Sequence, residues 1–451
     1  MSLPRTVLTR WSARAAIAVV AAATFVVPAI ATAAPAQTSA SPASASSAAF
    51  ANQIRQEVRG GTLLSTHGLH RACKACDAEV VTTAKGSAKP LSTSQPAGYG
   101  PSDLDSAYNL SGSSSSTATI AIIDAGVDGN LESDLATYRS NYGLPSCTTS
   151  NGCLTLENYT GGAQPAPQSS GDGANAEEQI GVETSLDVDM ASAACPSCHI
   201  TEISVPWEDG ENDGDTSTGD FATAVSTAVS GGAAAVSISY GYTADSTNTS
   251  GDQLSAFNHQ GVAIEASTGD SGFNGGTHTS WPSDLPYVIG VGGTTLNGPG
   301  NESAWSGGGS GCETFFDAAN GQPSSVTANC ANHLAVADVS ADADPNTGVA
   351  VYDTYAPSTN QPADWGVVGG TSASAPFIAG LFANAGVPSS LLGPNTLYQA
   401  SSSDFNDITS GNNEENDQCA NYPGVNANVC NAGTGWDGPT GLGSPNGLGA
   451  F

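Results

Sequence analysis

Beyond residue 90 this chain has almost no positive charge. Nine of its ten Lys and Arg residues lie before residue 91, and only Arg139 follows. Of the 42 acidic residues, all but Glu57, Asp77 and Glu79 lie in that later part. One base against 39 acids leaves it at −38. Such a surface cannot gather phosphates, which excludes nucleic acid as a partner. It also holds few cations to repel one another and few ion pairs to lose when carboxylates take up protons. The composition suits an acidic medium.

Long apolar runs are missing too, except at the start. Arg5, Arg10 and Arg14 precede or enter an apolar stretch at 15–31, and Ala31-Thr32-Ala33 is a small-x-small cleavage site. Residues 1–33 read as a secretory signal peptide, short for a membrane span and broken by Pro28. The expected product is extracellular, free of the membrane once the signal is removed, and monomeric. Residues 34–50 are rich in Ala, Ser and Pro, and 51–90 carry most of the remaining bases. Residues 34–95 are therefore expected to form a low-complexity and basic propeptide, drawn to the acidic domain by charge. Self-processing is expected near residues 90–100, with 96–451 as the mature domain.

Ten cysteines fall as close neighbours: Cys73/Cys76, Cys147/Cys153, Cys195/Cys198, Cys312/Cys330 and Cys419/Cys430. In an exported chain this spacing predicts local disulfides rather than metal or redox chemistry. Between them, apolar β-branched runs predict strands at 117–126, 199–205, 234–241, 262–272 and 287–293. Helices are predicted at 174–194, 220–232 and near 251–260. Strands alternating with helices imply a single α/β domain with a mostly parallel central sheet flanked by helices. Sites in such sheets collect at the carboxyl ends of the strands.

Histidine is also scarce, with only His199, His259, His278 and His333 after residue 90. That scarcity bears on "GGTSASAP", where Ser372 opens a helix expected to carry Pro376 in its first turn. A serine presented in this way normally passes its proton to a histidine. No histidine segment of that kind is present. In the 174–194 helix, Ile180, Glu183, Asp187, Met190 and Ala194 share one stripe. If the stripe faces the core, Glu183 and Asp187 are buried one turn apart and share a proton. In "STGDSG", Asp270 occupies a glycine-rich turn after a strand, where a carboxylic acid can donate a hydrogen bond that a carboxylate cannot.

Together, Glu183-x-x-x-Asp187, Asp270 and Ser372 resemble the sedolisin family of serine-carboxyl peptidases, over roughly residues 98–451. The opening "YGPSDLDSAYNL" at 99–110 is similar to that of mature family members. The resemblance implies a subtilisin-like fold and a secreted, acid-active peptidase made as a zymogen, acting on protein or peptide substrates. Glu183 would be the general base and then the acid, Asp187 its partner, Ser372 the nucleophile and Asp270 an oxyanion donor. Ser239, Tyr240 and Gly241 resemble the strand edge that pairs with substrate backbone. "NDITSG" and "AGTGWDG" look like the family's calcium loop. They imply one structural Ca²⁺ held by Asp407, Ile408, Gly433, Gly435 and Asp437. The segment before the mature start is shorter than the long prodomain of many members. Two other readings stand beside this one: a subtilisin-type enzyme with Asp124 as its acid, and an inactive secreted binding protein on a peptidase-like fold.

Overall fold

The computed structural model describes residues 42–451, apart from 72–75, 88, 111–114, 168–170, 207–215, 274–279, 356–363, 415–418 and 423. The expected signal peptide, Cys73 and His278 lie outside the described residues. The described chain opens with α1 (Pro42–Arg59), β1 (Gly68–Arg71) and β2 (Glu79–Thr82). Ile54, Val58 and Leu63 pack with Val81, Leu91, Ala97 and Val367 in one apolar cluster. Residues 43–451 form one compact unit, and the described part of the segment expected to be a propeptide shares a core with the acidic domain.

The main sheet takes in the five predicted runs and three further strands, at 154–158, 302–304 and 339–342. Its strands are β3 (Thr119–Ala125), β4 (Leu154–Asn158), β5 (His199–Val205), β6 (Ala235–Ile238), β7 (Ala263–Ser267), β8 (Ile289–Leu296), β9 (Glu302–Ala304) and β10 (Val339–Asp342). The order is β9-β8-β7-β6-β3-β5-β4, with β10 also paired to β8. Every pairing but β8 with β9 is parallel. A second sheet runs β1-β2-β12-β11, with β11 (Val349–Tyr352) and β12 (Trp365–Gly369). This is the expected α/β architecture.

Helices α2 (Gly171–Ala194), α3 (Thr216–Ser230) and α4 (Thr371–Ala385) are the longest helices between strands, and a shorter one not expected from the sequence spans Leu131–Tyr142. The helix expected near 251–260 is a short one, Gly251–Ser255, ending before Asn258, His259 and Gly261, which are weak helix formers. In α4 the expectation for Pro376 is corrected. The helix starts at Thr371, so the proline lies inside it, in the second turn rather than the first. Its absent N–H leaves the carbonyl of Ser372 without a helical donor. Four of the expected disulfides are formed: 147–153, 195–198, 312–330 and 419–430. Cys76 is also disulfide-bonded.

Candidate active site

Helices α2 and α4 cross closely because Gly380 has no side chain. A β-carbon there would meet Ala194 Cβ at 2.5 Å and the Ala191 carbonyl at 3.2 Å. The crossing brings Glu183, Asp187 and Ser372 together, each fully buried. The Asp187 carboxylate accepts from the Ser239 hydroxyl at 3.0 Å. The Ser372 hydroxyl points to the Ser239 carbonyl at 3.4 Å. Neither Glu183 oxygen makes a well-formed hydrogen bond. The looser approach of Ser372 tempers its acidity shift. Burial, then the neighbouring charge of Asp187, pushes the Glu183 carboxyl well above the usual range. Asp187 is pushed up likewise, by burial and then by Asp124. A pair in this state holds a proton where ordinary carboxyl groups have lost theirs. Among the described residues, no histidine is hydrogen-bonded to Ser372, Glu183 or Asp187.

Asp270 lies in the turn after β7, beside the start of α4. Its Oδ1 accepts from the Thr371 N–H at 2.8 Å and from the Thr371 hydroxyl at 2.9 Å. Its Oδ2 reaches towards Gly370, whose φ of 102° is open to glycine and strained for other residues. A β-carbon on Gly370 would fall 2.5 Å from Asp270 Oδ2 and 2.1 Å from the carbonyl oxygen of Asp77. That same carbonyl accepts the Ser372 N–H at 2.9 Å. This N–H belongs to the first turn of α4 and has no partner within the helix.

The Asp77 carbonyl arrives there because residues 76–82 cross the site. Cys76 bridges Tyr240 in antiparallel fashion, and the Asp77 N–H donates to the Ser239 carbonyl at 3.1 Å. Beyond the serine, β2 pairs with β12, Val80 opposite Val368 and Glu79 opposite Gly369. Ser239, Tyr240 and Gly241 therefore border an extended backbone. The Asp77 side chain is buried, and its Oδ2 accepts from the Ser267 hydroxyl at 2.6 Å.

Three features carry no strong mark in the sequence. Asp124, assigned there only to the subtilisin-type alternative, lies at the end of β3 and acts on both Glu183 and Asp187. Burial raises its own carboxyl to about 7. A lone acid closing the apolar run "IAIIDA" is the signal that marks it. The Ser239 hydroxyl, which orients Asp187, had no such signal. Asp77 is one of only three acids before residue 91, an oddity in a basic segment.

The loops expected to bind calcium do meet. Gly435 N–H donates to Asp407 Oδ1 at 3.0 Å, and Gly433 N–H to Asp437 Oδ2 at 3.0 Å. Asp437 is buried, and the charge of Asp407 adds to the effect of burial in pushing its carboxyl up to about 7. Two repelling carboxylates beside the buried backbone of Ile408 make a donor set of oxygens that fits a hard cation. A second acidic group, Asp128, Asp134 and Asp353, has carboxylate oxygens within 4.8 Å of one another. These accept from Asn130, Ser185, Thr354 and Tyr355.

The sequence model of the Subtilase family matches residues 115–400. Kumamolisin from Bacillus sp. (strain MN-32) is 32% identical, over 78% of this chain and 63% of its own length. Sedolisin from Pseudomonas sp. (strain 101) is 28% identical, over 80% of this chain and 62% of its own length. The chain thus spans less than two thirds of the length of both curated relatives. A solved structure of Pseudomonas sedolisin, a serine-carboxyl proteinase complexed with two molecules of pseudo-iodotyrostatin, is similar with a TM-score of 0.58. It is 25% identical, and the match covers 78% of this chain and 96% of that one. The parallel sheet, the serine at the start of α4 and these relatives agree: the chain belongs to the subtilase family, on its sedolisin branch.

Proposed function

We propose that this chain is a secreted, acid-active serine-carboxyl peptidase that cleaves peptide bonds through an acyl-enzyme on Ser372. The observation that carries the reading is the burial of Glu183 and Asp187 against Ser372, with a serine N–H already bonded to a peptide carbonyl. Glu183 takes the serine proton during attack and returns it to the leaving amine. Asp187, fixed by the Ser239 hydroxyl, shares the proton and holds Glu183 in place. Charge developing on the carbonyl oxygen meets the Ser372 N–H and the helix dipole of α4. Asp270, anchored through Thr371, adds a donor while it carries its proton.

The basic N-terminal segment acts as a propeptide. Arg59 bonds Asp103 at 2.8 Å and lies over the Tyr99 ring, which ties α1 to the acidic part by charge. One calcium ion, held by Asp407, Asp437 and the carbonyls of Ile408, Gly433 and Gly435, would neutralise the two carboxylates and fix the C-terminal loops.

Peptide hydrolysis at pH 4 and pH 8 tests the reading. Turnover is expected at pH 4, absent at pH 8 and absent from Ser372→Ala at both. Alanine at His199, His259, His278 or His333 is expected to leave the chemical step intact. If one of these abolishes cleavage while Glu183→Gln spares it, the subtilisin-type reading takes over. An inactive binding protein would cleave at neither pH.

A further inference from the structure

We infer that Asn413 is a positioning residue for the reaction: its buried amide fastens the turn that carries Asp270, so that the C-terminal arm of the chain aims the oxyanion donor. This rests on the peptidase reading above.

The turn is held from two sides. On the side of α4, Thr371 fixes Asp270 Oδ1, and its hydroxyl also accepts the Gly269 N–H at 3.1 Å. On the other side lies the loop after β9, residues 306–310, with the sequence Ser-Gly-Gly-Gly-Ser. Gly309 N–H donates to the Gly269 carbonyl at 2.7 Å, and Gly272 N–H donates to the Gly307 carbonyl at 2.7 Å. A β-carbon on Gly309 would collide with the Thr268 carbonyl. Turn and loop therefore move as one piece. Three glycines in a row hold little conformation of their own, because each keeps the backbone freedom that a side chain removes. Whatever fixes the loop also fixes the turn.

Asn413 is placed to do so. It is 1% exposed, and its Nδ2 donates to the Gly308 carbonyl at 2.6 Å and to Ser310 Oγ at 2.8 Å. Its backbone carbonyl accepts the Phe273 N–H at 2.8 Å. A β-carbon on Gly272 would fall 2.5 Å from that same carbonyl oxygen. One residue thus ties loop and turn together where they meet. The amide supplies two N–H groups to two oxygens, which neither an apolar side chain nor a carboxylate can do.

A second arm holds Asn413 itself. Its N–H donates to the Cys430 carbonyl at 3.0 Å, Asn412 pairs with Asn431 in antiparallel fashion, and Ala432 N–H donates to the Gly411 carbonyl at 3.1 Å. Ser310 Oγ accepts from Asn413 and donates to the Val429 carbonyl at 2.6 Å, so it joins both arms. Phe273 completes the junction. Its ring lies in a small core with Val429, Trp436 and the 312–330 and 419–430 disulfides, edge-on to Tyr422 at 5.6 Å. The turn bearing Asp270 therefore leaves the main sheet after Ser267 and is anchored at Phe273 in a core that the C-terminal arms build. Freed from Asn413, the loop and turn can shift, and the carboxyl group swings off the developing oxyanion. Substrate backbone pairs elsewhere, along 239–241 on the peptidase reading, so the loss falls on kcat rather than KM.

A double-mutant cycle on the full chain, read by peptide hydrolysis at pH 4, tests this. Asp270→Ala alone should lower kcat by about a hundredfold or more, the scale of a lost oxyanion donor. Asn413→Ala alone should lower kcat by about tenfold or more, the scale of a misplaced group, with KM within about twofold. Added to Asp270→Ala, where no donor is left to aim, the same substitution should cost less than about twofold. A merely structural role would cost the same factor in both backgrounds. Asn413→Leu, close in shape and without an N–H, runs through the same cycle and carries the test alone if Asn413→Ala does not fold. A coupling of about fivefold or more in kcat is the expected result. Equal factors in the two backgrounds, or a loss confined to KM, overturn the inference and leave the peptidase reading standing. If wild type cuts no peptide at any pH, both fall.

Discussion

A serine buried to the last atom is a poor nucleophile unless something beside it accepts a proton, and here the neighbours are carboxyl groups. Replacing Glu183 by Gln keeps the shape and removes the acceptor. Turnover should fall by about a hundredfold or more, the usual scale of lost general acid–base help, with KM little changed. Asp270→Asn should behave differently. A carboxyl group donates only while protonated, and an amide donates at every pH. The variant should lose some rate at pH 4 and keep what remains to higher pH than wild type. A pH–rate profile that simply scales down would remove Asp270 from the oxyanion site. Both residues were visible in the sequence because their types were out of place: two acids on an apolar stripe, and an acid in a glycine-rich turn. Ser239 was not visible as a positioning residue, since a serine at a strand end has no pattern to mark it. Its hydroxyl finds Asp187 only through the packing of α2 against β6.

At the scale of elements, five of the main-sheet strands were legible as short apolar runs, and the carboxyl ends of β6 and β7 lead to Ser239 and Asp270 as expected, whereas Ser372 follows β12, which belongs to the second sheet and pairs antiparallel. The start of α4 was misread. Pro376 suggested a later helix start, but Gly370, with φ of 102°, ends β12 and lets the helix begin at once. The placing of residues 76–82 was also illegible. Their contacts, such as Ser267 with Asp77, join positions far apart in sequence, and nothing local encodes them. The C-terminal loops offer a direct measurement at this scale. Asp407 and Asp437 repel each other within turns that Gly433 and Gly435 hold. A bound ion stabilises the folded state by mass action. Chelator at pH 5 should therefore lower the melting temperature of the wild type, and added Ca²⁺ should restore it. Asp437→Asn should show a lower starting value and little response to chelator. An unchanged melting temperature with chelator, together with no metal by elemental analysis, would remove the calcium assignment.

For the whole molecule, charge and burial act in the same direction. Asp124, Asp128 and Asp338 are buried carboxyl groups that burial raises to about 7. Glu265, Asp189 and Asp342 are likewise pushed well above the usual carboxyl range, chiefly by burial. In the unfolded chain such groups titrate near 4. Between about 4 and about 7 the folded chain therefore binds more protons than the unfolded one, and stability falls as pH rises through that window. Below it the contribution is fully present. The acid denaturation common in other proteins needs cations to repel and ion pairs to break. Beyond residue 90 there is one cation, Arg139, and it bonds hydroxyl and carbonyl oxygens rather than a carboxylate. The ionised surface acids add repulsion as pH rises, in the same sense. Thermal unfolding of Ser372→Ala, which cannot digest itself on this reading, is expected to give its highest melting temperature near pH 4 and a steady fall towards pH 8 at constant calcium. Glu265→Gln removes one buried titrating group from β7, away from the calcium loops, and should make that fall shallower. A melting temperature that rises from pH 4 to pH 8 would mean that the buried carboxyl groups are not held neutral, and the acid-adapted reading of this fold would have to be withdrawn.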